Sequence, residues 1–234
     1  MWYWFFKFTV VGPFVLLVFP PRWRGRENLP RTGAFVLAAN HTSMVEAGLV
    51  PLGVPRRVIF VAKGKYYRSR GVVGRVRAWF LTAIGQVPIE PESATTARPA
   101  LETATKILQA GGVWGVFPEG TRSPDGRMYQ GRTGCMRVAL PLGVPIIPVA
   151  VTGARTIGPW WKWGRGRTRA HITYLPAFDT SPWSGREHDP AAWREATDAL
   201  MARIREVTGQ EYVDRAATPE ELATKESRKG KTAG

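Results

Sequence analysis

One cysteine, Cys135, stands in a chain of 234 residues. That excludes an intrachain disulfide and a zinc site built from several thiolates, and an intracellular protein is expected. Histidine is almost as scarce. None of the three histidines lies in an H-E-x-x-H pattern, so the common hydrolytic zinc helix is absent. There is no G-x-S-x-G elbow, no Walker A loop and no G-x-G-x-x-G turn. Acidic side chains are few, 18 against 33 Lys and Arg, which leaves a net charge of +15. The partner of such a chain is anionic: nucleic acid, a phospholipid surface or a phosphorylated substrate. An uninterrupted apolar run long enough for a bilayer is also missing. Residues 1–21 are strongly apolar, but Gly12-Pro13 divides them into two short pieces.

Apolar residues make up 44% of the chain, enough for a sizeable core in one domain. The 25 glycines and 19 prolines favour many short elements over a helical bundle. Buried strands are expected at 34–39, 57–62, 86–89, 113–117, 144–151 and 170–175. Helices are expected at 41–52, 74–84, 95–110, 133–142 and 190–207. The last has Asp189 as N-cap and Pro190 at its first position. Strands alternating with helices define an α/β fold, here a single domain with a mixed, mostly parallel sheet flanked by helices. The domain is expected over 26–215, ahead of a loose polar tail at 216–234.

Segment 1–25 opens on aromatics and ends Pro20-Pro21-Arg22-Trp23-Arg24, unlike a signal peptide. It reads as an interfacial membrane anchor with Trp2, Trp4, Phe5 and Phe8 at headgroup depth, or as a helix packed on the domain's own core. No Asp or Glu occurs from 47 to 89, a stretch that holds Arg56, Arg57, Lys63, Lys65, Arg68, Arg70, Arg75 and Arg77. A second basic block interleaves Arg155, Lys162, Arg165, Arg167 and Arg169 with Trp160, Trp161 and Trp163. Trp beside Arg suits a membrane interface; it also suits base stacking, or a solvated basic face.

Two segments carry candidate chemistry, and each follows a buried strand, where α/β folds place reactive groups. In Asn40-His41-Thr42-Ser43-Met44-Val45-Glu46, a helix starting near Thr42 lets the Glu46 carboxylate fold back on the imidazole. A carboxylate bonded to one ring nitrogen fixes the tautomer and leaves the other as a proton acceptor. The same pair is also an ordinary way to cap a helix. In Phe117-Pro118-Glu119-Gly120-Thr121-Arg122-Ser123-Pro124-Asp125-Gly126, Gly120 permits close backbone approach and Arg122 offers a planar fork for phosphate. Glu119 can hold that Arg or a substrate hydroxyl. The plain alternative is a surface turn.

Asn-His-x-Ser-x-x-Glu followed by Phe-Pro-Glu-Gly-Thr-Arg-Ser resembles the 1-acylglycerol-3-phosphate acyltransferases (lysophosphatidate acyltransferases) of glycerolipid synthesis. Phe60-Val61-Ala62-Lys63, the middle block Gly85-Gln86-Val87-Pro88-Ile89 and the last block Val144-Pro145-Ile146-Ile147-Pro148-Val149-Ala150 are similar to that family's blocks in the same order. The resemblance implies that His41, oriented by Glu46, deprotonates an acceptor hydroxyl that attacks the thioester of acyl-CoA or acyl-carrier protein. No acyl-enzyme forms, and neither cofactor nor metal is needed. Lys63 and Arg122 would hold the acceptor phosphate, with Glu119, Gly120 and Thr121 completing its pocket. Pro145 and Pro148 would shape the acyl side. The product would be phosphatidic acid, made at the cytoplasmic face of the inner membrane. Two positions depart from the family pattern. Glu46 stands where the family has Asp, and Pro91 stands where an Arg that contacts the acceptor phosphate ends the middle block. Arg98 or an Arg of the 68–77 cluster is then the substitute, or the acceptor is glycerol-3-phosphate, another lysophospholipid or a glycolipid. Outside this resemblance, the charge also fits a nucleic-acid-binding protein or a non-catalytic membrane scaffold.

Overall fold

The computed structural model of the protein describes residues 2–18, 20–63, 71–83, 85–89, 98–156 and 169–222. Within them the expected α/β architecture is present. Its strands are β1 Arg22–Arg24, β2 Phe35–Ala39, β3 Val58–Lys63, β4 Gln86–Ile89, β5 Val113–Val116, β6 Met128–Tyr129, β7 Ile146–Thr152, β8 His171–Tyr174 and β9 Tyr212–Val213. Seven of them form one sheet in the order β1-β8-β7-β2-β5-β3-β4, and β6 pairs with β9 in a separate two-stranded ribbon. β2, β3, β4, β5 and β7 run parallel; β8 lies antiparallel to β7, and β1 parallel to β8. Parallel neighbours require crossovers, and the helices supply them. The helices are α1 Trp2–Phe5, α2 Gly12–Val18, α3 Glu46–Leu52, α4 Gly71–Ala83, α5 Arg98–Gln109, α6 Gly134–Leu142 and α7 Pro190–Thr208, of which α3 to α6 lie between the parallel strands.

The continuous apolar spelling of β2, Phe-Val-Leu-Ala-Ala, follows from burial on both faces. Val36 and Ala38 enter a core with Ala104 and Leu108 of α5, Met136 and Ala139 of α6, and Leu200 and Ile204 of α7. Phe35, Leu37 and Ala39 point the other way, into a core with Leu49 and Val50 of α3 and Ile172 and Tyr174 of β8. Phe35 and Leu37 are both 0% exposed; side chains of that size contribute about 1.5–3 kcal/mol each on burial.

Several boundaries differ from the sequence reading. The helix expected from 41 begins only at Glu46, because the Glu46 carboxylate takes the backbone N–H groups of Thr42 and Ser43 and holds 41–45 as a turn. β1 lies inside the segment assigned to the anchor, so the sheet starts before residue 26. Gly12-Pro13 does not break the N-terminal helix. A π-helical stretch, Phe6–Val11, joins α1 to α2, with the Gly12 N–H donating to the Lys7 carbonyl. The wider turn before Pro13 accommodates a ring that would clash in a regular α-helix. Beyond residue 216 the chain is not wholly loose. Thr218 and Glu221 cap one another reciprocally, and Glu221 pairs with Arg215 and accepts from the Tyr129 hydroxyl. Residues 64–70, 90–97 and 157–168 lie outside the described residues. With them go Lys65, Arg68, Arg70, Pro91 and the Trp160–Trp163 block.

The N-terminal helix packs through Tyr3 and Lys7, both 6% exposed, while Trp2, Phe5, Phe8, Phe14 and Leu17 are 47–73% exposed on its outer side. Among the described residues no helix is long and apolar enough to cross a membrane. Lys7 explains the docking. Its ammonium donates to the Pro51 carbonyl at 2.8 Å and to that of Val54, at the C-terminal end of α3. The Trp23 indole donates to the Leu49 carbonyl at 3.1 Å and the Tyr174 hydroxyl to that of Val50 at 2.6 Å. Carbonyls that a helix cannot satisfy internally are thus taken by three side chains from three other elements.

Burial, helped by the charge of Arg26, lowers the Lys7 amine from 10.5 to about 8. Between these values the unfolded chain holds a proton that the folded chain has released, so Lys7 makes stability rise with pH across that window. Urea unfolding of the parent and of Lys7→Met at pH 7.5 and pH 10 reads this directly. The gap between the two proteins should widen in the parent's favour at pH 10; a gap independent of pH contradicts it.

Candidate active site

The carboxyl ends of β2, β3 and β5 lie side by side, and each carries a predicted site residue. β2 leads into Asn40-His41, β3 ends at Lys63, and β5 leads into Phe117–Arg122. The register pairs Ala38 of β2 with Val116 of β5, which brings the two motif loops together. Open α/β sheets place ligands at this edge.

His41 Nδ1 and Glu46 Oε2 are 2.8 Å apart. The imidazole keeps 15% of its side-chain surface exposed, whereas the carboxylate keeps none. Glu46 is fully occupied by donors: the Thr42 N–H at 2.9 Å, the Ser43 N–H at 3.0 Å and the Thr42 hydroxyl, besides the ring. A buried carboxylate needs such partners. With every other contact a donor, Nδ1 carries the proton toward Glu46 and Nε2 is left as the free acceptor of the ring. The ring lies flat on Phe117, centroids 3.8 Å apart and planes 13° from parallel, and Phe60 stacks behind Phe117 at 5.2 Å.

The backbone of His41 is braced from the second motif. Its N–H donates to Glu119 Oε1 at 2.8 Å, and its carbonyl accepts from the Ser123 N–H at 2.7 Å. The other oxygen of Glu119 accepts from the Tyr129 N–H at 3.2 Å. Glu119, expected to line an acceptor pocket, is 3% exposed and holds two backbone amides. Gly120 has φ +69°, and a β-carbon there would come within 2.8 Å of the Arg132 side chain. Thr121 and Arg122 are half-buried on the same loop. The loop is no plain surface turn, since Ser123 is 2% exposed and its hydroxyl accepts from the Gly126 N–H at 2.8 Å. The backbone of Lys63 pairs with Ile89 at the same sheet edge. Among the described residues no cluster of three metal-ligating side chains occurs. Cys135 is buried, which pushes its thiol up to about 12 and removes it as a nucleophile.

Four participants carried no assigned role at the level of sequence. Phe117 and Asn40 sat in the quoted motifs with only their side-chain types to judge by. Tyr129 and Gln210 had no local signal: Tyr129 acts through its backbone N–H, which any residue type but proline supplies, and Gln210 through a contact made far along the chain.

A histidine–carboxylate pair at the carboxyl edge of an α/β sheet is an arrangement that can take a proton from a bound hydroxyl. The chain belongs to the acyltransferase family, whose model, described as Acyltransferase, matches residues 21–152, more than half of its length. It is similar to the 1-acyl-sn-glycerol-3-phosphate acyltransferase of Limnanthes douglasii, 26% identical over 183 residues that cover 75% of this chain and 61% of that protein. The chain therefore spans about three-fifths of that relative's length. Likeness to the enzyme of the same name from Bacillus subtilis (strain 168) is 26% over 185 residues, 78% of this chain and 85% of the other. The crystal structure of the 1-acyl-sn-glycerophosphate (LPA) acyltransferase PlsC from Thermotoga maritima shares the fold, with a TM-score of 0.58 over 86% of this chain and 80% of that one at 23% identity.

Glu46→Gln keeps the shape but replaces an acceptor by a donor where backbone N–H groups of Thr42 and Ser43 converge. The variant should lose about 1–3 kcal/mol of stability from unsatisfied buried groups and release the ring. Nitrogen-15 NMR of the His41 ring should show Nδ1–H with bare Nε2 in the parent and a mixture of tautomers in the variant. A parent ring protonated at Nε2 rejects the arrangement.

Proposed function

We propose that the protein transfers a fatty acyl group from acyl-CoA or acyl-carrier protein to the free hydroxyl of 1-acylglycerol-3-phosphate, giving phosphatidic acid. The observation that carries the reading is the 2.8 Å contact between His41 Nδ1 and the buried Glu46 carboxylate. Nε2 takes the proton of the acceptor hydroxyl as its oxygen bonds to the thioester carbonyl carbon. The tetrahedral adduct then collapses, the carbon–sulfur bond breaks, and the imidazolium returns the proton to the leaving thiolate. Glu46 stabilises the imidazolium while it lasts. The 41–45 turn brings the longer Glu46 side chain back to Nδ1 of the ring.

Arg122 and Lys63 would hold the acceptor phosphate, Arg122 through its fork and Lys63 as a point charge. Glu119 contributes by fixing the His41 backbone, and Gly120 and Thr121 by shaping the loop. The exposed aromatic side of the N-terminal helix would rest in the membrane interface, where a lysolipid resides and from which it enters laterally. Membership of the acyltransferase family and the names of the similar plant and bacterial proteins support the same reading.

Mass spectrometry of products from a panel of lysolipids and glycerol-3-phosphate, each offered with labelled acyl-CoA and acyl-carrier protein, tests it. Phosphatidic acid from lysophosphatidate should dominate; acylation of none of them removes the proposal. His41→Ala should reduce turnover by at least about a hundredfold, the usual contribution of a general base, and near-normal turnover removes it from that role. Arg122→Ala should raise the acceptor KM roughly tenfold by loss of a charge-assisted contact, with the donor KM unchanged.

A further inference from the structure

Gln210 lies beyond the residues that the family model matches, yet its side chain joins the two motif loops. It follows Gly209, whose φ of +65° ends α7. Its carboxamide oxygen accepts from Asn40 Nδ2 at 2.8 Å, and its carboxamide nitrogen donates to the Gly126 carbonyl at 2.7 Å. The polarity of this bridge is fixed from one end. The Val151 N–H donates to Asn40 Oδ1 at 2.8 Å, so the other arm of Asn40 must be the donor, which also reaches the Val151 carbonyl at 2.9 Å. Gln210 must then face Asn40 with oxygen and Gly126 with nitrogen. Aspartate and asparagine are too short for both contacts, and glutamate would set an oxygen against a carbonyl.

The two ends of the bridge are unequal. Asn40 is 0% exposed and is held by β7 as well. Gly126 closes the loop that bears Arg122, and its N–H is tied to Ser123, which is tied in turn to the His41 carbonyl. Losing the amide at 210 therefore loosens the Arg122 loop more than the His41 strand.

We propose that Gln210 is a positioning residue for the acceptor site, setting where the Arg122 loop stands relative to His41 through the Gly126 carbonyl. The kinetic part rests on the acyl-transfer reading given above; the tether itself does not. Full-length Gln210→Glu and Gln210→Leu should raise the acceptor KM about five- to tenfold, the scale of one hydrogen bond, with kcat and the donor KM within about twofold of the parent's. In an Arg122→Ala background, Gln210→Leu should add nothing further to the acceptor KM. Hydrogen exchange at the Ser123 and Gly126 amides should quicken in both variants, while β2 and β7 amides hold their protection. An unchanged acceptor KM, a full additional effect on top of Arg122→Ala, or unchanged exchange at Ser123 and Gly126 each overturns the proposal. If the parent acylates no acceptor, the reading of the reaction fails separately, and the exchange measurement alone decides the tether.

Discussion

The site depends on one carboxylate that has been stripped of water. Glu46 is fully buried and gathers the Thr42 and Ser43 amides, the Thr42 hydroxyl and the His41 ring. An unpaired charge in such a place would cost several kcal/mol. The turn at 41–45 is consequently the conformation in which that charge is satisfied, and the imidazole is one of the groups recruited to satisfy it. Orientation of the imidazole and solvation of its partner are the same event.

Everything else fixes that turn in space. Phe117 gives the ring a flat wall, Glu119 and Ser123 clamp the His41 backbone from the β5 loop, and Asn40 pins the strand end to β7. These braces come from strands that are neighbours in the sheet but distant in sequence. The order β7-β2-β5-β3 puts the His41 strand between two others whose loops can reach it. An imidazole held from both sides has little freedom left to reorient.

Strand and helix periods were legible in the sequence because most elements here are buried on both faces or on one clear stripe. β2, β5 and β7 read as apolar runs, and α7 announced itself through Asp189, whose carboxylate accepts from the Ala191 N–H. β1, β6 and β9 did not show, since two or three residues have no period to detect. The start of α3 was placed too early because a side chain, not the backbone, takes the first amides. At the site, His41 and Glu46 were legible as a spaced pair. Glu119 was legible as a member of its motif but not as a holder of two backbone amides, since a carboxylate's type does not reveal which amides it accepts from. Gln210 and Tyr129 were illegible for different reasons: the Gln210 contacts span 84 and 170 positions along the chain, whereas Tyr129 meets Glu119 through a backbone N–H that no side-chain type announces.

The short helix α3 carries Glu46 at its first position and has its far end gripped by Lys7, Trp23 and Tyr174. Both ends are therefore in register with other parts of the molecule, and the helix works as a spacer of fixed length. One inserted or deleted residue would swing the carboxylate by about 100° around the axis, away from the imidazole, unless the grip at the other end slipped by the same amount. Among homologous chains, length variation should accumulate in the surrounding connections and be excluded between Ser43 and Val54.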